Sequence, residues 1–239
     1  MSRRRWIADE VSGDRAILAG SHADHLIRAL RARVGQEFDV VTPGNVRRGR
    51  VTSIEPGRVE FELAEEISAC PSPDVILLLA IFKFDRMEWA IEKCTELGVA
   101  RILPFITRRT NSHLASASKK RIERWRRIAR QAAEQSRRAA APEIISPLKV
   151  ADVLNLHAGL RILLSESGER NLLRDALTMQ GPETNVALAV GPEGGWTEDE
   201  LRAFRDAGWI SASLGGTILR AETAAIAAVA IVTAELNSK

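Results

Sequence analysis

Apolar positions in the first part of the chain fall in short alternating runs separated by turn signals. Phe38 to Val41 is followed by Pro43-Gly44-Asn45, Val46 to Ile54 by Pro56-Gly57, and then comes Val59 to Leu63. A period of two broken by glycine and proline predicts a small β-barrel or sheet from Arg4 to Leu63. One helical insertion is expected within it, at about Ser21 to Arg33, opened by a Ser21 cap and Asp24 and carrying Leu26, Ala29 and Leu30 on one face. At Cys70-Pro71-Ser72-Pro73 two prolines exclude regular structure and the pattern changes character, which divides the chain into residues 1–72 and 73–239.

Beyond that boundary strand and helix alternate, the pattern of an α/β domain with a largely parallel sheet. The expected strands are Val75 to Phe82, Arg101 to Pro104, Ile144 to Ser146, Arg161 to Ser165, Val186 to Val190 and Ile210 to Leu214. Amphipathic helices are expected at about Asp85 to Leu97, Ala117 to Ala139, Glu169 to Leu177 and Glu198 to Ala207. The last helix, Ala221 to Leu236, is apolar almost all round, so it is buried in the core or against a second subunit, and it is too short to span a bilayer.

Composition narrows the function classes. With 239 residues, 45% of them hydrophobic, the chain can bury a real core and is globular. Met1-Ser2-Arg3-Arg4-Arg5-Trp6 carries no apolar signal region, so the expectation is a cytoplasmic protein without a membrane partner. Cys70 and Cys94 are too few and too far apart for a zinc framework and read as packed thiols. His22, His25, His113 and His157 form no HExxH pair, so no metal is expected.

Net charge is +3, but its distribution is uneven: 13 basic against 3 acidic residues from Arg101 to Lys149, and 7 against 12 from Val150 onward. The first stretch is a phosphate-binding field or a solvated helix face, and its richness in arginine, which grips phosphate bidentately, favours nucleic acid. Arg121, Arg124, Arg126, Arg127 and Arg130 share the helix with Ile122, Trp125 and Ala129, whose spacing marks a core stripe.

Two glycine runs end apolar strands. Gly191-Pro192-Glu193-Gly194-Gly195 follows Val186 to Val190 and precedes a helix marked by the capping pair Thr197 and Glu200. Leu214-Gly215-Gly216 leads through Ile218-Leu219-Arg220 into the last helix. Glycines at strand ends let a backbone approach a ligand, although a tight turn without one has the same look. Neither GxGxxG nor GxxxxGK[ST] is present, which disfavours dinucleotides and nucleoside triphosphates. Glu222, near the start of the last helix, is open to two readings, dipole partner or catalytic group.

Six motifs in order resemble the ribosomal RNA small-subunit methyltransferase E family, of the knotted SPOUT class. They are His25 with Ala29-Leu30-Arg31; Asp85-Arg86 with Lys93 and Thr95 to Val99; Pro104 and Arg109; Glu134-Gln135-Ser136 with Arg138; Gly191 to Gly195; and Leu214-Gly215 with Ile218-Leu219-Arg220 and Glu222-Thr223-Ala224.

That resemblance implies an N-terminal PUA-like β-barrel that helps bind RNA and a C-terminal domain tied in a trefoil knot, one of the rare exceptions to unthreaded chains. It implies a homodimer holding S-adenosyl-L-methionine and methylating N3 of a uridine in 16S rRNA of the small ribosomal subunit. Leu164, Gly191, Glu193, Gly194, Gly195, Leu214, Gly215, Ile218 and Leu219 would hold the cofactor. Arg220 is the candidate cation for charge developing on the uracil, and Glu222 a base or an orienting group. Arg4, His25, Arg31, Arg109, Arg124, Arg127 and Arg138 are the expected RNA contacts.

Three departures stand out: Thr217 replaces the Arg that usually precedes Ile-Leu-Arg, Ala29 a larger aliphatic residue, and Trp196 a Phe. The last two are expected to touch packing alone. The competing readings are a SPOUT enzyme acting on tRNA or on ribose 2′-oxygen, and a non-catalytic ribosome-associated RNA-binding protein. Intact glycine loops argue against the latter, since a pure binder does not need them.

Overall fold

The computed structural model describes residues 5–42, 45–67, 74–136, 138–166, 171–179 and 185–237. The chain divides into two compact units, Met1–Pro71 with Ala133–Ala141, and Ser72–Ala132 with Pro142–Lys239.

Among the described residues, the N-terminal part of the first unit comprises β1 (Arg5–Ile7), β2 (Glu10–Ser12), β3 (Arg15–Ala19), α1 (Gly20–Arg28), β4 (Glu37–Thr42), β5 (Asn45–Glu55) and β6 (Arg58–Ile67). Their order in the sheet is β1-β4-β5-β6-β3-β2, antiparallel except for the β1–β4 pair. β1 borders one edge and β2 the other. The two residues joining them continue both pairings, Ala8 N–H donating to Val41 O at 3.0 Å and Asp9 N–H to Ile17 O at 2.8 Å. Inward-facing Trp6, Leu18, Val40, Val51 and Phe61 form a core with Ala23 and Leu26 of α1.

The predicted helix here is shorter than its sequence pattern. Ser21 is not its cap, because the helix starts at Gly20 with Ala19 preceding it and no side-chain cap. It ends at Arg28, and Arg31 then takes a left-handed φ of 49°. Such a residue reverses the chain out of a helix. The Pro43-Gly44 turn and the Cys70 to Pro73 boundary lie outside the described residues.

The second unit begins with β7 (Asp74–Ala80), α2 (Phe84–Glu96), β8 (Arg101–Ile106), α3 (Ser112–Ser118) and α4 (Ile122–Gln135), the last of which passes into the first unit at Ala133. It continues through β9 (Glu143–Ile144), β10 (Leu148–Lys149), α5 (Val150–Leu154), β11 (Leu160–Leu164) and α6 (Leu173–Met179). β12 (Asn185–Val190), α7 (Glu198–Asp206), β13 (Ile210–Ala212) and α8 (Ala221–Asn237) complete it. The strands run β10-β8-β7-β12-β11-β13, with β9 also beside β8, and every pairing is parallel.

Because the sheet is covered on both faces, its strands are continuous apolar runs. Alternate residues serve opposite layers. Val75, Leu77 and Leu79 pack under α2, α4, α6 and α8, whereas Ile76, Leu78 and Ala80 pack against Val153 of α5 and Phe204 of α7. Each fully buried Leu or Ile contributes roughly 1.5–3 kcal/mol.

The predicted long basic helix is broken in two. The Asn111 side chain accepts from the His113 and Leu114 amides and starts α3, and a 3-10 turn at Lys119–Arg121 separates it from α4. Ile122, Trp125 and Ala129 are the core stripe of α4, as their spacing predicts. The short β10 and α5 carry too little periodicity to be read from sequence. No helix of the described residues is long and apolar enough to cross a membrane.

Candidate functional site

In a parallel sheet all carboxyl ends share one edge, where open α/β folds bind ligands. At that edge β11 gives way to Leu164-Ser165-Glu166, β12 to Gly191 through Trp196, and β13 to Ser213 through Arg220. Together these segments line a cavity of 590 Å³. The two glycine runs therefore meet, and Leu164, Gly191, Glu193, Gly194, Gly195, Leu214, Gly215, Ile218, Leu219 and Arg220 all stand on its wall. Thr217 is on the wall as well.

The first glycine loop is held from four sides. Gly195 closes a turn through its amide to Pro192 O at 2.9 Å and has φ +70°, a conformation costly for side chains with a Cβ. At Gly191 a Cβ would come within 3.0 Å of the Trp196 ring, so glycine here lets the indole lie close against the strand end without shifting. The indole Nε1–H donates to Leu164 O at 2.8 Å, tying the β12 loop to the end of β11. Trp196 is thus more than a packing substitute for Phe, because Phe has no N–H to give. Behind it the ring sits 6.1 Å from Phe105 and 5.1 Å from Phe204.

Two arginines complete the hold. Arg109, on the loop after β8, donates to Gly194 O at 2.7 Å. Arg86, in the first turn of α2, donates to Glu193 at 2.7 Å and lies 3.7 Å from Glu222. Sequence reasoning saw Arg86 only as part of a motif, since 107 residues separate it from Glu193.

Glu200 was legible as a capping residue and does more. Its Oε2 accepts from Thr197 N at 3.0 Å and Thr197 Oγ1 at 2.9 Å, while its Oε1 accepts from the Arg108 amide at 2.8 Å. One buried carboxylate, 4% exposed, thereby fixes both the start of α7 and the loop that carries Arg109. Arg108 adds an exposed ion pair to Asp199 at 2.6 Å.

Glu222 does not line the cavity. It is 2% exposed, faces Arg86, and its Oε2 lacks a hydrogen-bond partner among the described residues. That position suits the orienting role of the two expected for it better than the base. Arg220 is exposed on the rim, and its carbonyl accepts from Ala224 N at the start of α8.

The expected RNA contacts fall in both units. His25 and Arg31 are exposed on the first unit, with the His25 ring 5.9 Å from Trp6. Arg4 lies outside the described residues. Arg124 is bound bidentately by Glu88 at 2.6 and 2.8 Å, hydrogen bonds that raise its pKa. Arg127 is exposed with no ion pair among the described residues, so on α4 it is the freer of the two. Burial lowers the Arg138 guanidinium to about 10, still charged at neutral pH. Burial also pushes the Cys94 thiol up, which suits a packed, inert cysteine, while Cys70 lies outside the described residues. Among the described residues no group of three or more His, Cys, Asp and Glu could hold a metal ion.

Comparison with known proteins agrees with this arrangement. The family model described as an RNA methyltransferase domain matches residues 70–233. A ribosomal RNA small subunit methyltransferase E from Synechocystis sp. is 34% identical, over 92% of this chain and 73% of the relative. One from Mycobacterium bovis is 33% identical, over 92% of this chain and 87% of the relative. The crystal structure of a ribosomal RNA small subunit methyltransferase E from Neisseria gonorrhoeae bound to S-adenosyl methionine superposes with a TM-score of 0.86 at 28% identity, covering 98% of each chain. The chain belongs to the ribosomal RNA small subunit methyltransferase E family.

Proposed function

We propose that this chain is an S-adenosylmethionine-dependent methyltransferase acting on N3 of a uridine in 16S ribosomal RNA of the small subunit. The observation that carries the reading is the cavity where the two glycine loops meet at the strand ends, in a chain so similar to a protein crystallised with that cofactor. Its 590 Å³ suits a nucleoside joined to an amino acid. The donor set fits too: apolar Leu164, Val190, Leu214 and Leu219 for the nucleoside, glycine backbone for close approach, and charged Arg86 and Glu193 for a polar end.

When bound, S-adenosylmethionine supplies an electrophilic methyl group. The chain's own residues handle charge. A uracil that loses its N3 proton to solvent water spreads negative charge onto its two oxygens, and Arg220 on the rim supplies the cation for it. Glu222 acts as an orienting group through Arg86, from behind the wall.

We read the six-stranded sheet, bridged at both edges by residues 5–12, as a PUA-like barrel that binds RNA through His25 and Arg31. The connection from β13 to α8 is read as the threaded part of a trefoil knot. In support, α8 leaves the edge strand yet packs beneath the central β7 and β12 and beside α2. A cytoplasmic homodimer completes the reading, with residues 1–72 and 73–239 as its RNA-binding and catalytic domains.

Labelled S-adenosylmethionine incubated with small subunits or with naked 16S rRNA, followed by mapping of reverse-transcription stops, tests the function. A methyl on N3 blocks the Watson–Crick edge, so one strong stop at a uridine is expected. Label in ribose or in tRNA would redirect the target, and none in any RNA would leave a binding protein.

A further inference from the structure

Arg86, Arg109 and Arg220 stand on the cavity wall, and their charges are placed differently. Arg86 faces two carboxylates, Glu193 at 2.7 Å and Glu222 at 3.7 Å. Arg220, on the rim, is the cation proposed for the uracil. Arg109 is exposed, and its hydrogen bond among the described residues runs from Nη1 to a backbone carbonyl, Gly194 O, at 2.7 Å. No carboxylate of the described residues pairs with it. A guanidinium carries five N–H donors, so most of those on Arg109 remain for a ligand.

The turn beneath Arg109 is fixed in advance. Thr107 N–H donates to Thr110 Oγ1 at 3.0 Å, Thr110 N–H donates to Thr107 O at 3.2 Å, and the two hydroxyls lie 2.9 Å apart. The buried Glu200 holds the Arg108 amide at 2.8 Å. The stem of the side chain runs along the glycine loop, since a Cβ at Gly194 would sit 3.5 Å from both Cβ and Cδ of Arg109. A long surface cation ordinarily loses rotamer freedom when it meets an anion, and here much of that loss is taken before binding.

We propose that Arg109 couples RNA to the cavity, a phosphate of the substrate RNA taking its outward donors while Gly194 O keeps the inward one. The proposal rests on reading the cavity as the S-adenosylmethionine site and the substrate as RNA. A planar fork serves two acceptors at once, and a phosphate on one side confines the side chain to the rotamer that holds Gly194. Gly194 lies in the turn that Gly195 closes on Pro192 O, so the phosphate steadies a wall of the cavity. Coupling is reciprocal: a ligand that orders the loop presents Arg109 to the phosphate and tightens RNA by the same factor.

Filter binding of labelled 16S rRNA and of small subunits, with and without saturating S-adenosylhomocysteine across a salt series, tests this. In wild-type protein the nucleoside should tighten RNA about fivefold or more. Arg109→Ala should shrink that gain to within about twofold and flatten the salt dependence by about one phosphate contact. Arg109→Lys, a point charge without the fork, should keep the salt dependence and lose the gain, and it reports even where the alanine releases the loop. Calorimetry with S-adenosylhomocysteine sets saturation for each protein, so weaker nucleoside binding is not mistaken for lost coupling. No gain in wild-type protein, or a gain that survives in either variant, would overturn the proposal. Inorganic phosphate that tightened S-adenosylhomocysteine as RNA does would assign the site to a free anion instead. If wild-type protein bound no S-adenosylhomocysteine in the calorimeter, the cofactor reading would fall and the coupling with it.

Discussion

The two glycine loops share one cavity and are built in opposite ways. The loop from Gly191 to Gly195 is gripped by Arg86, Arg109 and Trp196 and by a turn of its own. The segment from Gly215 to Arg220 has no side-chain hydrogen bond or ion pair among the described residues, and a Cβ at Gly215 or Gly216 would meet open space. Ile218 on it is 84% exposed. One wall is therefore finished before a ligand arrives, while the other offers its groups outward. A finished wall stores specificity in preorganised contacts, whereas an open one gains order only from what binds it.

The contrast breaks first at Arg220. Arg220→Ala should lower the single-turnover rate about 100-fold with cofactor bound, as loss of one transition-state charge partner does, and should leave the unfolding midpoint unchanged. A near-normal rate would remove Arg220 from the chemistry. On the gripped side the effect should fall on stability. Glu200→Ala strands the buried amides of Arg108 and Thr197 and should cost about 2 kcal/mol in denaturant unfolding, with weaker binding of S-adenosylhomocysteine as the Arg109 loop loosens. An unchanged midpoint would mean that the two loops are held by something else.

Trp196→Phe deletes the bond to Leu164 O and one ring of the indole packed against Gly191, so at least about 1 kcal/mol of stability should go. Ile218→Ser should shift stability by less than about 0.5 kcal/mol because the side chain is already in water. Its effect should appear in affinity for small subunits, measured by filter binding, and identical affinity would make the open wall indifferent to RNA.

These differences also separate what the sequence discloses from what it conceals. Both glycine runs were legible because an apolar strand ending in glycine is a local signal, and so was the stripe Ile122, Trp125 and Ala129. The grip on the first loop was not. Arg86 to Glu193 and Arg108 to Glu200 join residues that only the sheet order brings together. The split between α3 and α4 was hidden for another reason. Basic and small residues run through Ala117 to Arg121 without a proline or glycine, so no local signal marks the 3-10 turn at Lys119–Arg121. Trp196 looked like a Phe equivalent because a hydrogen bond to a distant carbonyl leaves no periodic trace.

The aromatic backing of the cavity has an optical consequence. Of the chain's five tryptophans, Trp6, Trp125 and Trp209 are buried and Trp89 is half exposed on α2, whereas Trp196 lines the cavity. Its indole N–H is already engaged, so its emission starts from a single defined environment. A flat heterocycle entering beside it changes the polarity and contacts of that indole and of no other on the wall. The chain thus carries its own fluorophore on the wall of the site, and the filling of the cavity can be timed in a stopped-flow instrument without any label.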